Sequence, residues 1–316
     1  MTSFPERPDD EYVVVYLEDT DRPLPQKINQ STRYAYFKTI ARGGKSIIQT
    51  CKDLHLSRTV CYKMLRPEFA NDEIEQQRFL REARVSAMLQ HPNLVPTYEV
   101  GRNARGQYYF TMKFVYGYTL REVLDYRERY DLTQLVHVVI QIGYALEYAH
   151  SHRVIHRDIK PENILIGRFG EVLLLDWGLA KVWSTDGTTD ELPSTGEVMP
   201  GAKVSTMTDQ GKLQGTIAYM SPEQIRKDPD IDYRTDVYSL GVVLFEILAG
   251  RTPAVAETVG EMTDQILNVV PPKPSTLAHL QVPGPLDDLA FQCIAKDPAE
   301  RVQDCAEIVR LLQIGW

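Results

Sequence analysis

Two short runs carry residue types whose spacing could do chemistry: His156-Arg-Asp-Ile-Lys-Pro-Glu-Asn163, and Asp176-Trp-Gly178 beginning thirteen residues after Asn163. The Asp158 carboxylate can accept or orient the proton of an incoming hydroxyl. Lys160, two residues on, can neutralise an anion in transit. Asn163 and Asp176 offer oxygens suited to a hard cation such as magnesium. Taken singly, each run is ordinary: Asp-Trp-Gly is usually a turn, and His-Arg-Asp can be a surface loop. Order and spacing together argue for one site.

These two runs resemble the catalytic loop and metal-binding motif of the eukaryotic-like (Hanks-type) protein kinase family, in its bacterial Ser/Thr branch. The resemblance covers about Arg33 to Gln313. It implies phosphoryl transfer, a reaction catalysed mostly by positioning and charge neutralisation. It also implies ATP and Mg2+, with Mn2+ able to replace it, and protein substrates. In those terms Asp158 and Lys160 are catalytic, and Asn163 and Asp176 hold the metal.

Upstream, Val60-Cys-Tyr-Lys63 is similar to the family's Val-Ala-x-Lys strand. That makes Lys63 the residue for the α- and β-phosphates, and Glu82, in Phe79-Leu-Arg-Glu-Ala83, its ion-pair partner. The glycine loop departs from the pattern: G-x-G-x-x-G-x-V stands here as Ala41-Arg-Gly43-Gly-Lys-Ser46-Ile-Ile48. Ile40, Ala41, Gly43, Gly44, Lys45 and Ser46 are expected near the nucleotide. Ala41 and Ser46 add Cβ atoms where glycine would let backbone N–H groups approach phosphates, and Lys45 could compensate through charge. The resemblance further puts Ile48 and Cys61 above the adenine, Leu165 below it, Met112 behind it, and Lys113 to Val115 at the hinge. Gly44-Lys45-Ser46 also ends like a Walker A loop. That motif needs glycine where Thr39 stands and a helix next, whereas Ile47 to Cys51 reads as strand.

His150, His152 and His156 invite a metal reading, but no cysteine or carboxylate trio completes zinc ligation. By resemblance His156 is a packing residue, while the other two end a helix. Gly215-Thr216 and Ser221-Pro-Glu223 resemble the end of an activation segment running from Asp176, with Ser221 in place of the usual Ala. Glu223 is expected to pair with Arg301, and Asp236 to cap the catalytic-loop backbone. Lys160 with Thr216 looks like the Ser/Thr pattern rather than the tyrosine one. Arg157 beside Asp158 could pair with a phosphate on the activation segment, for which Thr206, Thr208 and Ser205 are candidates.

The elements that must position these groups follow from periodicity. Tyr34 to Ile40, Ser46 to Cys51, Arg58 to Leu65, Leu94 to Val100 and Gln107 to Phe114 read as short strands. Asp72 to Gln90 reads as a helix packing through Ile74, Phe79, Ala83, Ala87 and Met88. Long helices follow over Leu132 to Ser151, Val237 to Ala249, Leu286 to Ala295 and Asp304 to Gln313. Segregated strands then helices predict an α+β protein. Its expected form is a bilobal protein-kinase-like fold with a small β-rich N-lobe carrying one helix and a larger helical C-lobe. The expected boundaries are an acidic extension over 1–32, N-lobe and hinge over 33–115, and C-lobe over 116–316 with its activation segment at 176–223. Within the extension, Tyr12 to Leu17 is a candidate extra strand. Ser184 to Lys212 holds nine Ser/Thr residues and few large apolar ones, so length and position favour a functional loop.

Composition limits the remaining classes. The 316 residues are 43% hydrophobic and 25% charged, which excludes wholesale disorder. A net charge of -8 argues against nucleic acid as partner. Four cysteines without a C-x-x-C pair read as reduced thiols. No signal segment or membrane span is visible, so the expected location is cytoplasmic. Two alternatives stay open: a pseudokinase serving as a nucleotide-binding or scaffolding module, and a kinase-fold enzyme for small molecules. Dimerisation for trans-autophosphorylation is a further expectation.

Overall fold

The computed structural model describes residues 17–21, 23–24, 33–182, 215–278 and 281–316. The described chain divides into two compact units: residues up to Gln90 with Leu94–Gly117, and His91–Asn93 with Tyr118–Trp316. Of the candidate strand over Tyr12 to Leu17, only Leu17 is described, opening a single helical turn to Thr20. Ser205, Thr206 and Thr208 lie outside the described residues.

In the first unit, β-branched and aromatic runs form a five-stranded antiparallel sheet. Its strands are β1 (Tyr34–Arg42), β2 (Ser46–Asp53), β3 (Arg58–Leu65), β4 (Thr97–Arg102) and β5 (Tyr108–Lys113), in the spatial order β1-β2-β3-β5-β4. The strand after Ser46 removes the Walker A reading, which needs a helix there. The strand expected from Leu94 starts later, at Thr97. Pro96 has no N–H for a ladder and instead accepts from Lys113 N–H at 3.0 Å. Leu94 and Val95 are buried, which is why they read as strand.

Helix α1 (Glu73–Met88) begins where Asp72 accepts from the N–H groups of Ile74 and Glu75, both at 3.1 Å. Phe79 and Ala83 pack on Leu65 and Phe110 as expected of its inner face. The rest of that face differs from the expectation. Ile74, Ala87 and Met88 are exposed, and Glu75, Glu82 and Ser86 are buried in their stead. Each buried polar group has a partner: Lys45 and Arg78 for Glu75, Lys63 for Glu82, and Thr97 for Ser86. Charge pairing sets the rotation of this helix as much as hydropathy does. The opposite face of the sheet buries Tyr34, Cys51, Val60, Tyr62 and Tyr109, with the Tyr62 and Tyr109 rings stacked at 4.4 Å.

The second unit is helical around α5 (Arg234–Ala249), whose residues from Thr235 to Ala249 are all buried. Gly250, at φ 76°, ends it in the left-handed conformation. Around it lie α2 (Leu120–Leu124), α3 (Leu132–Ser151), α4 (Pro222–Arg226), α6 (Val259–Asn268), α7 (Pro274–Leu277), α8 (Gly284–Cys293) and α9 (Cys305–Gln313). A Cβ on Gly143 would come within 2.6 Å of Val309, so glycine there permits the close approach of α3 and α9. No described helix is long and apolar enough to cross a membrane. All four cysteines are free and buried.

Two buried charges organise this unit. Arg301, fully buried, makes a bidentate pair with Glu223, both contacts at 2.7 Å, and donates to the carbonyls of Arg234, Ala295 and Lys296. Asp236, fully buried at the start of α5, accepts from the backbone N–H groups of His156 and Arg157 and from His150 Nε2, each at 2.8 Å. Burial alone would raise the Asp236 carboxyl. The hydrogen bond from His150 and the backbone donors overcome that and hold it below the ordinary carboxylate value.

The sign of the pH dependence follows. A carboxyl depressed on folding stabilises in full above its unfolded value of about 3.9, and that contribution fades as pH falls below it. Asp236→Asn turns one acceptor into a donor facing donors and should cost about 2–4 kcal/mol at neutral pH by urea unfolding. The two proteins should converge toward acid, where the native carboxyl is protonated as well. A constant gap across pH would mean that charge plays no part. Arg301→Ala, which strands Glu223 in the interior, should cost about 3–5 kcal/mol in the same assay.

Candidate active site

After the short strand β6 (Gly117–Thr119), the loop 156–163 joins β7 (Val154–Ile155) to β8 (Ile164–Gly167), and β8 pairs with β9 (Val172–Leu174). Both Asp158 oxygens accept from Lys160 Nζ, at 2.8 and 2.9 Å. Asn163 Nδ2 donates to Asp158 Oδ2 at 2.9 Å and to the Asp158 carbonyl at 2.8 Å. The Asp158 N–H donates to His156 Nδ1 at 3.2 Å, which leaves the ring proton on Nε2 to donate to the Leu175 carbonyl at 3.0 Å. Thus His156 is fully buried and structural, as the resemblance implies. It is also the link that ties Asp158 to the strand leading into Asp176.

Burial raises the Asp158 carboxyl above the usual aspartate value, Lys160 pulls it down, and Asp176 adds a smaller upward push. Asp176 is exposed and sits at φ 63°, while Arg157 sits at φ 66°. Two non-glycine residues in the left-handed region, one in each motif, are costly conformations of the kind held at functional sites. The Leu175 N–H donates to the Asn163 carbonyl at 2.8 Å, which holds the backbone entering Asp176 against Asn163. Trp177 is buried with its ring edge-on to His156, centroids 4.6 Å apart.

The donor set fits magnesium. Both Asn163 amide hydrogens are spent on Asp158, so its oxygen is the atom left to face a cation, and the Asp176 carboxylate is exposed. One carboxylate and one amide make too small a set for an all-protein cage. They suit an ion that keeps waters and shares phosphate oxygens. Among the described residues no group of three His, Cys, Asp or Glu could hold a metal ion, and His150, His152 and His156 face Asp236, the Tyr148 carbonyl and the Leu175 carbonyl.

The first unit brings a second group together. Cross-strand register pairs Ile48 with Lys63, Cys61 with Met112, and Lys63 with Phe110, so Ile48, Cys61, Lys63 and Met112 share one sheet face. Lys63 Nζ lies 2.5 Å from Glu82 Oε1, and both residues are buried. Burial pushes the Cys61 thiol up to about 12, so it presents a neutral, apolar surface. Leu165, in the second unit, is the half-exposed residue between buried Ile164 and Ile166 on β8. Lys113 and Val115 are half-buried at the end of β5 and just beyond it.

The glycine turn is tied down. Ile40 and Ala41 are exposed near the end of β1. The Gly43 N–H donates to the Ser46 carbonyl at 2.9 Å, closing the turn. Arg66 donates to the Gly43 and Gly44 carbonyls at 3.3 and 3.2 Å. Lys45 was expected to offer its charge at the loop tip. Its ammonium instead lies 2.7 Å from Glu75 on α1.

Three contributors escaped the sequence reading. His150 is more than a helix-end residue, since it holds Asp236. Gln224 Nε2 donates to the Arg157 carbonyl at 2.8 Å. Ser221, where the family usually has Ala, accepts from the Gln224 N–H and shares a 2.7 Å contact with Thr235 Oγ1. All three act across long sequence separations, and only the cap pattern Ser221-x-x-Gln224 left a local trace.

Comparison with known proteins agrees with this geometry. The family described as protein kinase domain matches residues 34–313. The serine/threonine-protein kinase PknD of Protochlamydia amoebophila is 35% identical over 307 residues, covering 93% of this chain and 30% of the relative. PknD of Chlamydia abortus is 34% identical, covering 85% of this chain and 29% of the relative. PknB of Mycolicibacterium smegmatis is 34% identical, covering 88% and 42%. The chain therefore spans less than half the length of these relatives. The chain belongs to the protein kinase family, in its bacterial Hanks-type serine/threonine branch.

Proposed function

We propose that this chain transfers the γ-phosphate of ATP to serine or threonine hydroxyls of proteins, with magnesium, or manganese in its place. The observation that carries this reading is Asp158, held at once by Lys160 and Asn163 and stitched through His156 to the strand before Asp176. Relatives named as serine/threonine kinases favour the enzyme over the scaffolding alternative.

Each residue then has a defined task. Asp158 accepts a hydrogen bond from the acceptor hydroxyl and takes its proton as the oxygen attacks the γ-phosphorus, while the bond from that phosphorus to the bridging oxygen breaks and ADP leaves with the electron pair. Lys160 balances the Asp158 charge before transfer and the migrating phosphoryl oxygens during it. Asn163 and Asp176 would hold the metal, which when bound neutralises the phosphate oxygens and leaves the nucleophile unrepelled. Lys63, kept in place by Glu82, serves the non-transferred phosphates. Ile48, Cys61, Met112 and Leu165 supply apolar surface for the base, and the backbone of Lys113 to Val115 its hydrogen bonds. The turn Gly43–Ser46, with Ile40 and Ala41, covers the phosphates through backbone N–H groups. Its tethers to Arg66 and Glu75 take over the role of the missing flanking glycines in holding the turn.

Radiolabelled ATP and a generic protein acceptor test this directly. Asp158→Asn and Lys63→Met should each lower incorporation by at least about 100-fold (~2.7 kcal/mol) while remaining folded. Equal incorporation in all three proteins rejects the proposal. A thermal shift with ATP in the absence of any transfer would establish the scaffold instead. The pH profile gives a second check. Asp158 must be ionised to accept the proton, so the acid limb of kcat/KM should lie above the ordinary aspartate range of about 3.9. Lys160→Met removes a lowering influence and should move that limb to higher pH as well as reduce kcat. A limb that stays in place would show that Lys160 does not act on Asp158.

A further inference from the structure

The glycine turn and α1 share a charged contact that lies apart from the groups assigned to the reaction. Lys45, in the turn, places its ammonium 2.7 Å from Glu75 Oε1, and Arg78 places a guanidinium nitrogen 2.8 Å from the same oxygen. The Glu75 side chain is 7% exposed, that of Arg78 17% and that of Lys45 47%. A carboxylate so buried needs cations around it, and here it has two. Their jobs differ. Arg78 comes from one turn further along the same helix, so its pair orients Glu75 without reaching another element. Lys45 comes from the turn between β1 and β2, so its pair crosses from the sheet to the helix.

Spacing makes this pair a counterpart of Lys63 and Glu82. Glu75 and Glu82 stand seven residues apart, so they share one face of α1 and lie about 10 Å from one another along its axis. On the sheet, Lys63 is level with Ile48, and the Lys45 carbonyl accepts from the Arg66 N–H at 2.9 Å. Lys63 and Arg66 are three residues apart along β3 and its continuation, which is again about 10 Å. Two rungs of matching spacing therefore hold one helix face to the sheet. The turn draws little on its glycines. Neither Gly43 nor Gly44 adopts a positive φ, and a Cβ on Gly44 would meet nothing within 4 Å. Its shape rests on contacts: Ser46 and Arg66 tie it to its own sheet, and Lys45 carries it across to α1.

We propose that Glu75 is a positioning residue for the nucleotide: through Lys45 it fastens the glycine turn to α1, so that one helix presents both the turn and Lys63 to the triphosphate. This deepens the kinase reading and rests on it. A swing of α1 away from the sheet then undoes two contacts to the phosphates together, since Lys63 loses Glu82 as the turn loses its anchor. The Lys45 ammonium serves Glu75 and is not itself a phosphate ligand; the turn meets the phosphates through its backbone N–H groups. Arg78 keeps Glu75 paired when Lys45 is changed, so the contact can be removed without stranding a buried charge.

The test compares the full chain with Lys45→Met, Lys45→Arg, Glu75→Gln and the double variant Lys45→Met/Glu75→Gln, using ATP and a generic protein acceptor. Lys45→Met and Glu75→Gln should each raise KM for ATP about five- to tenfold, and kcat should fall by less than about twofold because the loop carrying Asp158 is untouched. The double variant should be no worse than either single one, and Lys45→Arg, which keeps the charge, should recover most of the loss. If Lys45 were instead a phosphate ligand, Glu75→Gln would release it and lower KM for ATP. That result overturns the proposal, as does an unchanged KM in Lys45→Met or additive losses in the double variant. Lys45→Met, on a half-exposed residue, decides the matter if Glu75→Gln does not fold. Amide exchange gives a readout that needs no phosphate transfer. In Lys45→Met the Gly43 N–H, bonded to Ser46, and the Gln76 N–H, bonded to Asp72 at the start of α1, should both exchange about tenfold faster, with the amides of β5 unchanged. Acceleration in the turn alone means that turn and helix are not coupled and overturns the proposal. A wild type that transfers no phosphate would reject the kinase reading, and the exchange rates would still decide whether Glu75 couples the turn to α1.

Discussion

A single buried carboxylate sets the shape of the chemically active loop. Asp236 receives two successive backbone N–H groups, from His156 and Arg157, and the ring of His150. Arg157 has neither a glycine's freedom nor a regular ladder around it, and Asp236 on its N–H, with Gln224 on its carbonyl, holds it in the left-handed conformation. Once His156 and Arg157 are pinned, Asp158 must emerge on the far side of the turn. Lys160 and Asn163 then close on it from the same loop. The cost of burying the Asp236 charge is offset by donors that are themselves part of the site, so stability and geometry are secured together.

From that anchor the rest of the second unit follows as a chain of satisfied polar groups. His156 passes the constraint to Leu175 and so to Asp176. Gln224 passes it to α4, Ser221 to Thr235, and Glu223 to Arg301 near the end of the chain. The first unit has its own counterpart in Lys63 and Glu82. There the rotation of α1 is governed by which carboxylates find cations, and exposed Ile74 and Met88 show that apolar residues gave way.

The legible part of this protein was the part written locally. His156 to Asn163 and Asp176 to Gly178 carry their chemistry in residue type and spacing, while Lys63 and Glu82 follow from the resemblance of Val60 to Lys63 to the family's strand, on a strand and a helix that periodicity marks out. Asp72, Asp131 and Asp304 accept from first-turn N–H groups where helices begin, and Gly250 ends α5. What stayed hidden depends on partners far along the chain. Arg121 lies 125 residues from Glu246 and 98 from Tyr219, and His150 lies 86 from Asp236. No local pattern announces such a contact. The inner face of α1 was misjudged for a related reason: hydropathy treats Glu75 and Glu82 as outward-facing, and only their cations explain why they turn in. Lys45 is expected near the nucleotide from its place in the turn, and its pairing with Glu75, thirty residues away, leaves no local trace.

The claim that Asp236 holds the catalytic loop is tested most directly by amide hydrogen exchange at His156 and Arg157. In the wild type both amides should exchange as slowly as those in the core of α5, because they bond to a buried carboxylate. In Asp236→Asn, at a temperature where the fold persists, their exchange should quicken by about 10–100-fold while α5 itself changes far less. Equal protection at both amides in the two proteins would contradict the account.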